Sequence, residues 1–232
     1  MKALPCLLLF TKPARPGRVK TRLVGEGLSA EQAAALHEAF LGDLRGRLAG
    51  APGFELRLAW ALDDGEPVPE GHGPSLVQRG VDLGERLFRA LSEAAREHPL
   101  VGAVGSDHPE LSRERVDEAF AALTTGADVA LGPAHDGGYY LIALRREALS
   151  PQLFTGVPWS TGEVLARTLE RCAELRLAVA LLPTEADVDT PADLARLAAA
   201  LAESRASDCP RTRALLQDWG MLAPVMTAAT LP

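Results

Sequence analysis

The chain has 232 residues, 47% hydrophobic and 24% charged, enough to bury a full core without disulfide or metal staples. Its three cysteines (Cys6, Cys172, Cys209) are odd in number and share no C-x-x-C spacing, which argues against a secreted disulfide framework and a structural zinc site. A net charge of −7 disfavours nucleic acid and anionic membranes as partners and leaves a cytoplasmic protein as the expectation.

Ala3 to Phe10 is an apolar run too short to span a bilayer, with no small-residue cleavage site after it, so it predicts a buried strand over 4–10. The segment that follows carries Lys12, Arg15, Arg18, Lys20 and Arg22 with no acid among them. Of 24 basic residues in the chain only three are lysines, and two of those lie here. A compact ammonium suits a phosphate oxygen; a solvated basic loop is the alternative. The loop lacks both G-x-x-x-x-G-K-[ST] and G-x-G-x-x-G, so side chains, not a cradle of backbone amides, would have to hold a phosphate.

Ser29 and Gln32 form a capping-box pattern ahead of a helix carrying Leu36, Phe40, Leu44 and Leu48 at i+4 spacing. A strand near 54–62 and a polar, Pro- and Gly-rich loop over 63–75 follow. Asp82 and Glu85 repeat the capping spacing before a helix with Leu83, Leu87, Leu91 and Ala94. Leu100 to Gly105 reads as a short buried strand, and Ser112 caps a helix that ends before Gly126. Strands at 128–132 and 139–144 flank a turn-rich stretch from Ala134 to Gly138. Ser160 and Glu163 are expected to start a helix to about 173, before an apolar strand at 177–183. Thr190 caps the next helix, with Pro191 first and Asp193 in its first turn. A short helix at about 211–219 and an uncharged tail complete the chain. The alternation predicts an α/β fold, a three-layer α/β/α sandwich on a mostly parallel mixed sheet, with one domain over 1–203 and a C-terminal extension over 204–232.

On this scaffold four polar stretches fall at carboxyl ends of strands, the edge where open α/β sheets bind ligands. They are the basic segment, Ser106-Asp107-His108-Pro109, His135-Asp136-Gly137-Gly138 and Asp187-Val188-Asp189-Thr190. Asp107 and Asp189 are hard oxygen ligands suited to Mg²⁺ or Mn²⁺, which takes one or two carboxylates together with waters and substrate phosphates. Each could instead serve its own backbone, Asp107 in an Asx turn and Asp189 at a helix start. Asp136-Gly137-Gly138 is either a hairpin turn or a close backbone approach to a sugar or acceptor. Trp159-Ser160-Thr161 is either an acceptor-pocket wall or a core tryptophan followed by a cap. His108 and His135 read as structural.

In order, Thr11-Lys12-Pro13, Pro16-Gly17-Arg18-Val19-Lys20-Thr21-Arg22-Leu23, Gly105-Ser106-Asp107-His108-Pro109, Gly132-Pro133-Ala134-His135-Asp136-Gly137-Gly138-Tyr139-Tyr140, Pro158-Trp159-Ser160-Thr161 and Asp187-Val188-Asp189-Thr190-Pro191 resemble a bacterial family of GT-A-type transferases. That family, labelled radical-SAM/selenodomain-associated transferase or glycosyltransferase-like, is similar to the 2-phospholactate guanylyltransferases and more distantly to the molybdenum-cofactor guanylyltransferases. The resemblance spans about residues 3–200. It implies a nucleotide-diphospho-sugar transferase fold, a metal held by Asp107 and Asp189, and nucleotide phosphates gripped by Lys12, Arg15, Lys20 and Arg22. It also implies an acceptor or sugar near Asp136, Gly137 and Gly138. The Gly-rich opening of the molybdenum-cofactor enzymes is absent, as is an Asp-x-Asp pair at 105–109.

Three functions are compatible with these residues. The first is nucleotidyl transfer from a nucleoside triphosphate to a phosphorylated small-molecule acceptor, with Lys20, Arg22 and Asp107 in catalysis and Trp159 lining the acceptor pocket. Five cations suit a triphosphate better than a diphosphate. The second is glycosyl transfer from a nucleotide sugar, and the third a nucleotide-binding module without catalysis.

Overall fold

The computed structural model describes residues 3–25, 27–50, 52–203 and 209–222. The last residues of the expected tail lie outside that set.

Seven strands form one sheet: β1 (Cys6–Thr11), β2 (Glu55–Trp60), β3 (Ser75–Val77), β4 (Leu100–Gly105), β5 (Val129–Pro133), β6 (Tyr139–Arg145) and β7 (Val179–Leu181). Their spatial order is β3-β2-β1-β4-β6-β5-β7. β6 runs antiparallel to β4 and β5, while the other neighbouring pairs are parallel. β1 is an interior strand between β2 and β4, and its unbroken Leu7-Leu8-Leu9 run follows from burial on both faces. Alternate side chains feed opposite layers. Cys6 and Leu8 join Leu87 and Leu91 on one side, whereas Leu7 and Leu9 join Leu44 and Phe120 on the other.

The helices are α1 (Ala30–Leu48), α2 (Leu83–Ala94), α3 (Arg113–Thr124), α4 (Val164–Glu174), α5 (Pro191–Glu203) and α6 (Pro210–Asp218). α1 and α3 cover one face, and α2 and α4 the other. Ser29 caps α1 with a complete capping box, and Asp82 and Ser112 cap α2 and α3. Among the described residues no helix is long and apolar enough to cross a membrane. α6 packs on α1 in a third apolar cluster that includes Phe40, Leu197 and Leu216. Its first turn is fixed by buried Asp43, which accepts from Arg211 N and Thr212 N at 2.9 Å and from Thr212 Oγ1 at 2.7 Å.

Two local expectations need correction. The end of the expected 63–75 loop runs into β3, a three-residue edge strand too short to show a period. α4 does not start at Ser160. That residue has φ 65°, in the left-handed region, and the helix begins at Val164 with Glu163 at its cap position. Thr161 Oγ1, bonded to Pro158 O at 2.7 Å, ties the intervening turn.

Candidate active site

The carboxyl ends of β1, β4, β5 and β7 share one edge with the start of β6. The loop leaving β1 passes from exposed Lys12 to buried Val19 and Lys20, then to a 3-10 turn over Thr21–Leu23. Its cations part company. Arg15 pairs with Glu66 at 2.5 Å, and Arg18 pairs with Asp63, both on the connection after β2. Lys20 turns inward, with a side chain only 2% exposed and a left-handed backbone (φ 48°, ψ 36°).

The Lys20 ammonium gathers the two expected metal carboxylates. Its Nζ lies 2.6 Å from Asp107 Oδ1 and 3.1 Å from Asp189 Oδ1, and it donates to Val188 O at 2.6 Å. The Phe40 ring lies beneath it at 5.4 Å. Three acceptors match the three hydrogens of an ammonium group, so none remains for a phosphate in this arrangement. Arg22, largely exposed, approaches Asp189 Oδ2 at 3.9 Å. The two strand ends are also stitched by backbone, since Val188 N donates to Asp107 O at 3.0 Å. Asp189 does not cap α5. Thr190 and Asp193 do so reciprocally, with Asp193 Oδ2 accepting from Thr190 N at 2.8 Å and from Thr190 Oγ1 at 2.6 Å.

Enclosure pushes the Asp107 carboxyl up, but Lys20 outweighs it through charge and hydrogen bond, helped by His37 and Lys12. The carboxyl is held below the usual aspartate range. Asp187 goes the other way: burial, then Asp189 and Asp136 nearby, raise it. Among the described residues no group of three His, Cys, Asp or Glu side chains is arranged as a ready-made metal cage.

A groove runs along this edge in two halves that meet at Leu83, Gly105, Asp107 and Ser160. The half of about 590 Å³ is lined by Lys12, Arg18, Lys20 and Arg86 along with Gln78 and Ser106. The half of about 510 Å³ is lined by Asp136, Asp187 and Asp189, by Tyr139 and Trp159, and by Arg22 at its rim. Arg15 lines neither half, but a separate recess of about 240 Å³ beside the basic one.

Gln78, Arg86 and His37 are groove residues that sequence reasoning missed. Gln78 follows β3, where its Nε2 donates to Ala59 O at 2.8 Å, and Arg86 Nε donates to Gly80 O at 3.1 Å. A polar Gln-Arg-Gly run ahead of the Asp82 cap was the available signal. His37 on α1 donates from Nε2 to Lys12 O at 3.1 Å and lies 3.2 Å from Thr11 Oγ1, fixing the start of the basic loop. Its burial lowers its pKa, against the pull of Asp107.

Asp136 serves the turn, accepting from Gly138 N at 2.8 Å, while Ala134 N donates to Gly138 O at 3.0 Å. Gly137 has φ 86°, and a Cβ there would sit 2.1 Å from Gly162 O, so the turn presses on the wall that carries Trp159. Trp159 lines the groove and packs edge-on to Tyr139 at 6.3 Å, but its Nε1 lies against Gly84 of α2 and finds no acceptor. His108, read from the sequence as structural, lines the acidic half of the groove and is tied to neighbouring backbone. It lies 2.6 Å from both Ala186 O and Glu185 Oε2 and stacks on Tyr140, fixing the 183–187 segment.

The mixed sheet between two helical layers, with its groove at the strand ends, matches the nucleotide-diphospho-sugar transferase fold. One solved structure with this fold is described as a "putative nucleotide-diphospho-sugar transferase" from Desulfovibrio desulfuricans G20. It is 36% identical over 92% of this chain and 94% of that one, with a TM-score of 0.85. A cytidylyltransferase from Leptospira borgpetersenii (12% identity, 100% of each chain, TM-score 0.56) shares the fold. So does 2-C-methyl-D-erythritol 4-phosphate cytidylyltransferase from Thermus thermophilus (22% identity, 88% and 100%, TM-score 0.51). The chain belongs to the family described as "Uncharacterized protein conserved in bacteria (DUF2064)", which matches residues 44–161. No curated protein matches it in sequence.

Proposed function

We propose that this protein is a nucleotidyltransferase of the radical-SAM/selenodomain-associated branch, moving a nucleoside monophosphate from a triphosphate to a phosphorylated small molecule. The observation that carries this reading is the position of Asp107 at the junction of a basic and an acidic half-groove. Lys12, Arg18 and Arg86 would neutralise the triphosphate in the basic half, and Gln78 and Ser106 offer polar contacts beside it. Arg22 at the rim of the other half would orient the acceptor phosphate, with Tyr139, Trp159 and the Asp136–Gly138 turn as its walls. An acceptor oxygen attacks the α-phosphorus, the bond to the bridging oxygen breaks, and pyrophosphate leaves toward the basic loop, whose cations meet the developing charge.

The carboxylates fit a divalent cation, because Asp107 Oδ1 and Asp189 Oδ1 already converge on one positive group. Two carboxylates completed by substrate phosphates suit Mg²⁺ or Mn²⁺. When bound there, such an ion supplies charge neutralisation at the reacting phosphate.

Calorimetry with CTP, GTP, UTP and ATP against a panel of nucleotide sugars, with and without Mg²⁺, tests the reading. Metal-dependent binding of a triphosphate with no binding of sugar nucleotides is expected. The reverse would favour the second reading, glycosyl transfer, which the name of the 36%-identical relative supports.

A further inference from the structure

Lys20 was expected to grip phosphate, yet its ammonium is spent inside the protein on Asp107, Asp189 and Val188. A lysine with its side chain 2% exposed, held on a left-handed backbone over the Phe40 ring, is not a loose surface charge. It occupies the space between the two carboxylates that would hold a divalent ion. Two cations cannot share that space, because their repulsion grows as water is excluded.

We propose that Lys20 is a resident counter-cation: a positioning residue that keeps Asp107 and Asp189 together and must be displaced when a divalent ion takes its place. The proposal rests on the reading of Asp107 and Asp189 as a cation site. Lys20 also lines the basic half-groove, so the displaced ammonium moves into the half assigned to the triphosphate. Divalent ion and triphosphate then bind cooperatively, since the ion frees the lysine and the phosphates receive it. An unfilled site meanwhile keeps half of its carboxylate charge balanced.

Mn²⁺ binding measured by electron paramagnetic resonance on nucleotide-free protein tests the exchange. Lys20→Met removes the competitor, so Mn²⁺ should bind roughly tenfold or more tightly than to wild type, provided circular dichroism shows a folded variant. Unchanged or weaker binding by folded Lys20→Met overturns the proposal. A second measurement needs no variant. The chain has three lysines, Lys2, Lys12 and Lys20, so a brief amine-acylation pulse with peptide mass mapping resolves each. Lys20 should be protected in metal-free protein and become several-fold more reactive at saturating Mn²⁺, with exposed Lys12 as the unchanged reference. Persistent protection of Lys20 while resonance shows bound Mn²⁺ overturns the exchange alone. No Mn²⁺ bound by wild type or variant, with or without triphosphate, overturns the cation-site reading and the exchange with it.

Discussion

Gly137 offers the sharpest test of how the acceptor half is built. Its φ of 86° lies where an L side chain is strained, and an added Cβ would stand 2.1 Å from the carbonyl oxygen of Gly162. Alanine there costs about 1–2 kcal/mol for the backbone and about 1–3 kcal/mol for the forced contact, together roughly 2–5 kcal/mol. For a domain of this size that lowers Tm by about 4–20 °C. Gly138 is the control. Its backbone needs no positive φ, and its added Cβ would meet Asp136 Oδ1 at 3.1 Å, the tip of an exposed side chain. Asp136 can yield by giving up its exposed hydrogen bond from Gly138 N, so Gly138→Ala should cost about 1 kcal/mol. Thermal and urea unfolding measure both variants. The substitution at Gly137 also displaces the segment bearing Trp159 and Gly162, which contributes four residues to the acceptor half but only Ser160 to the half that holds Gln78. Triphosphate binding should therefore survive in the folded fraction better than turnover. A Gly137→Ala protein within about 0.5 kcal/mol of wild type would refute this packing argument.

Three further outcomes follow from the same geometry. Asp107→Asn keeps the shape and removes the charge, so Mg²⁺-dependent triphosphate affinity should fall at least about tenfold, or 1.4 kcal/mol, by calorimetry. Asp187 has a raised folded-state pKa, so its charge destabilises the protein at neutral pH. Asp187→Asn should stabilise there, and the gain should fade as pH drops from the raised value to the ordinary aspartate value of 3.8, below which both proteins carry a neutral group. Denaturant midpoints at stepped pH values follow that sign. Asp43→Ala strips the buried cap of α6 and leaves Thr212 without its acceptor, at a cost of about 2–4 kcal/mol in urea unfolding.

Much of the scaffold could be read directly from residue order because its signals are local. Ser29 with Gln32, Asp82 with Glu85 and Thr190 with Asp193 mark helix starts through hydrogen bonds that span three residues. Ser160 and Glu163 have the same spacing and mislead. Between them the chain turns through a left-handed Ser160 to let Gly162 meet the Gly137 turn, a contact between distant segments that no local pattern encodes. The antiparallel sense of β6 is likewise set by its hairpin with β5 and not by its own apolar composition. At the site, the convergence of Lys20, Asp107 and Asp189 was legible from their common strand edge. The division of the five cations was not. Arg15 leaves the groove because Glu66 waits on a loop whose position depends on β3, an element too short to announce itself.

That division bears on how the groove could work. A nucleoside triphosphate needs positive charge along its tail, and Lys12, Arg18 and Arg86 line the half that can supply it. An acceptor phosphate entering the other half faces Asp136, Asp187 and Asp189, with Arg22 alone on its side at the rim. Left as it stands, that half repels an anion, and Asp187 registers the strain as a raised pKa caused by burial and its carboxylate neighbours. A divalent ion between Asp107 and Asp189 adds two positive charges where Lys20 had held one, and the displaced lysine remains in the groove as a further cation. The acidic half becomes hospitable to a phosphate only after that exchange. Acceptor binding should therefore require the divalent ion more strictly than triphosphate binding does, an order that calorimetry of a phosphorylated acceptor with and without Mg²⁺ checks directly.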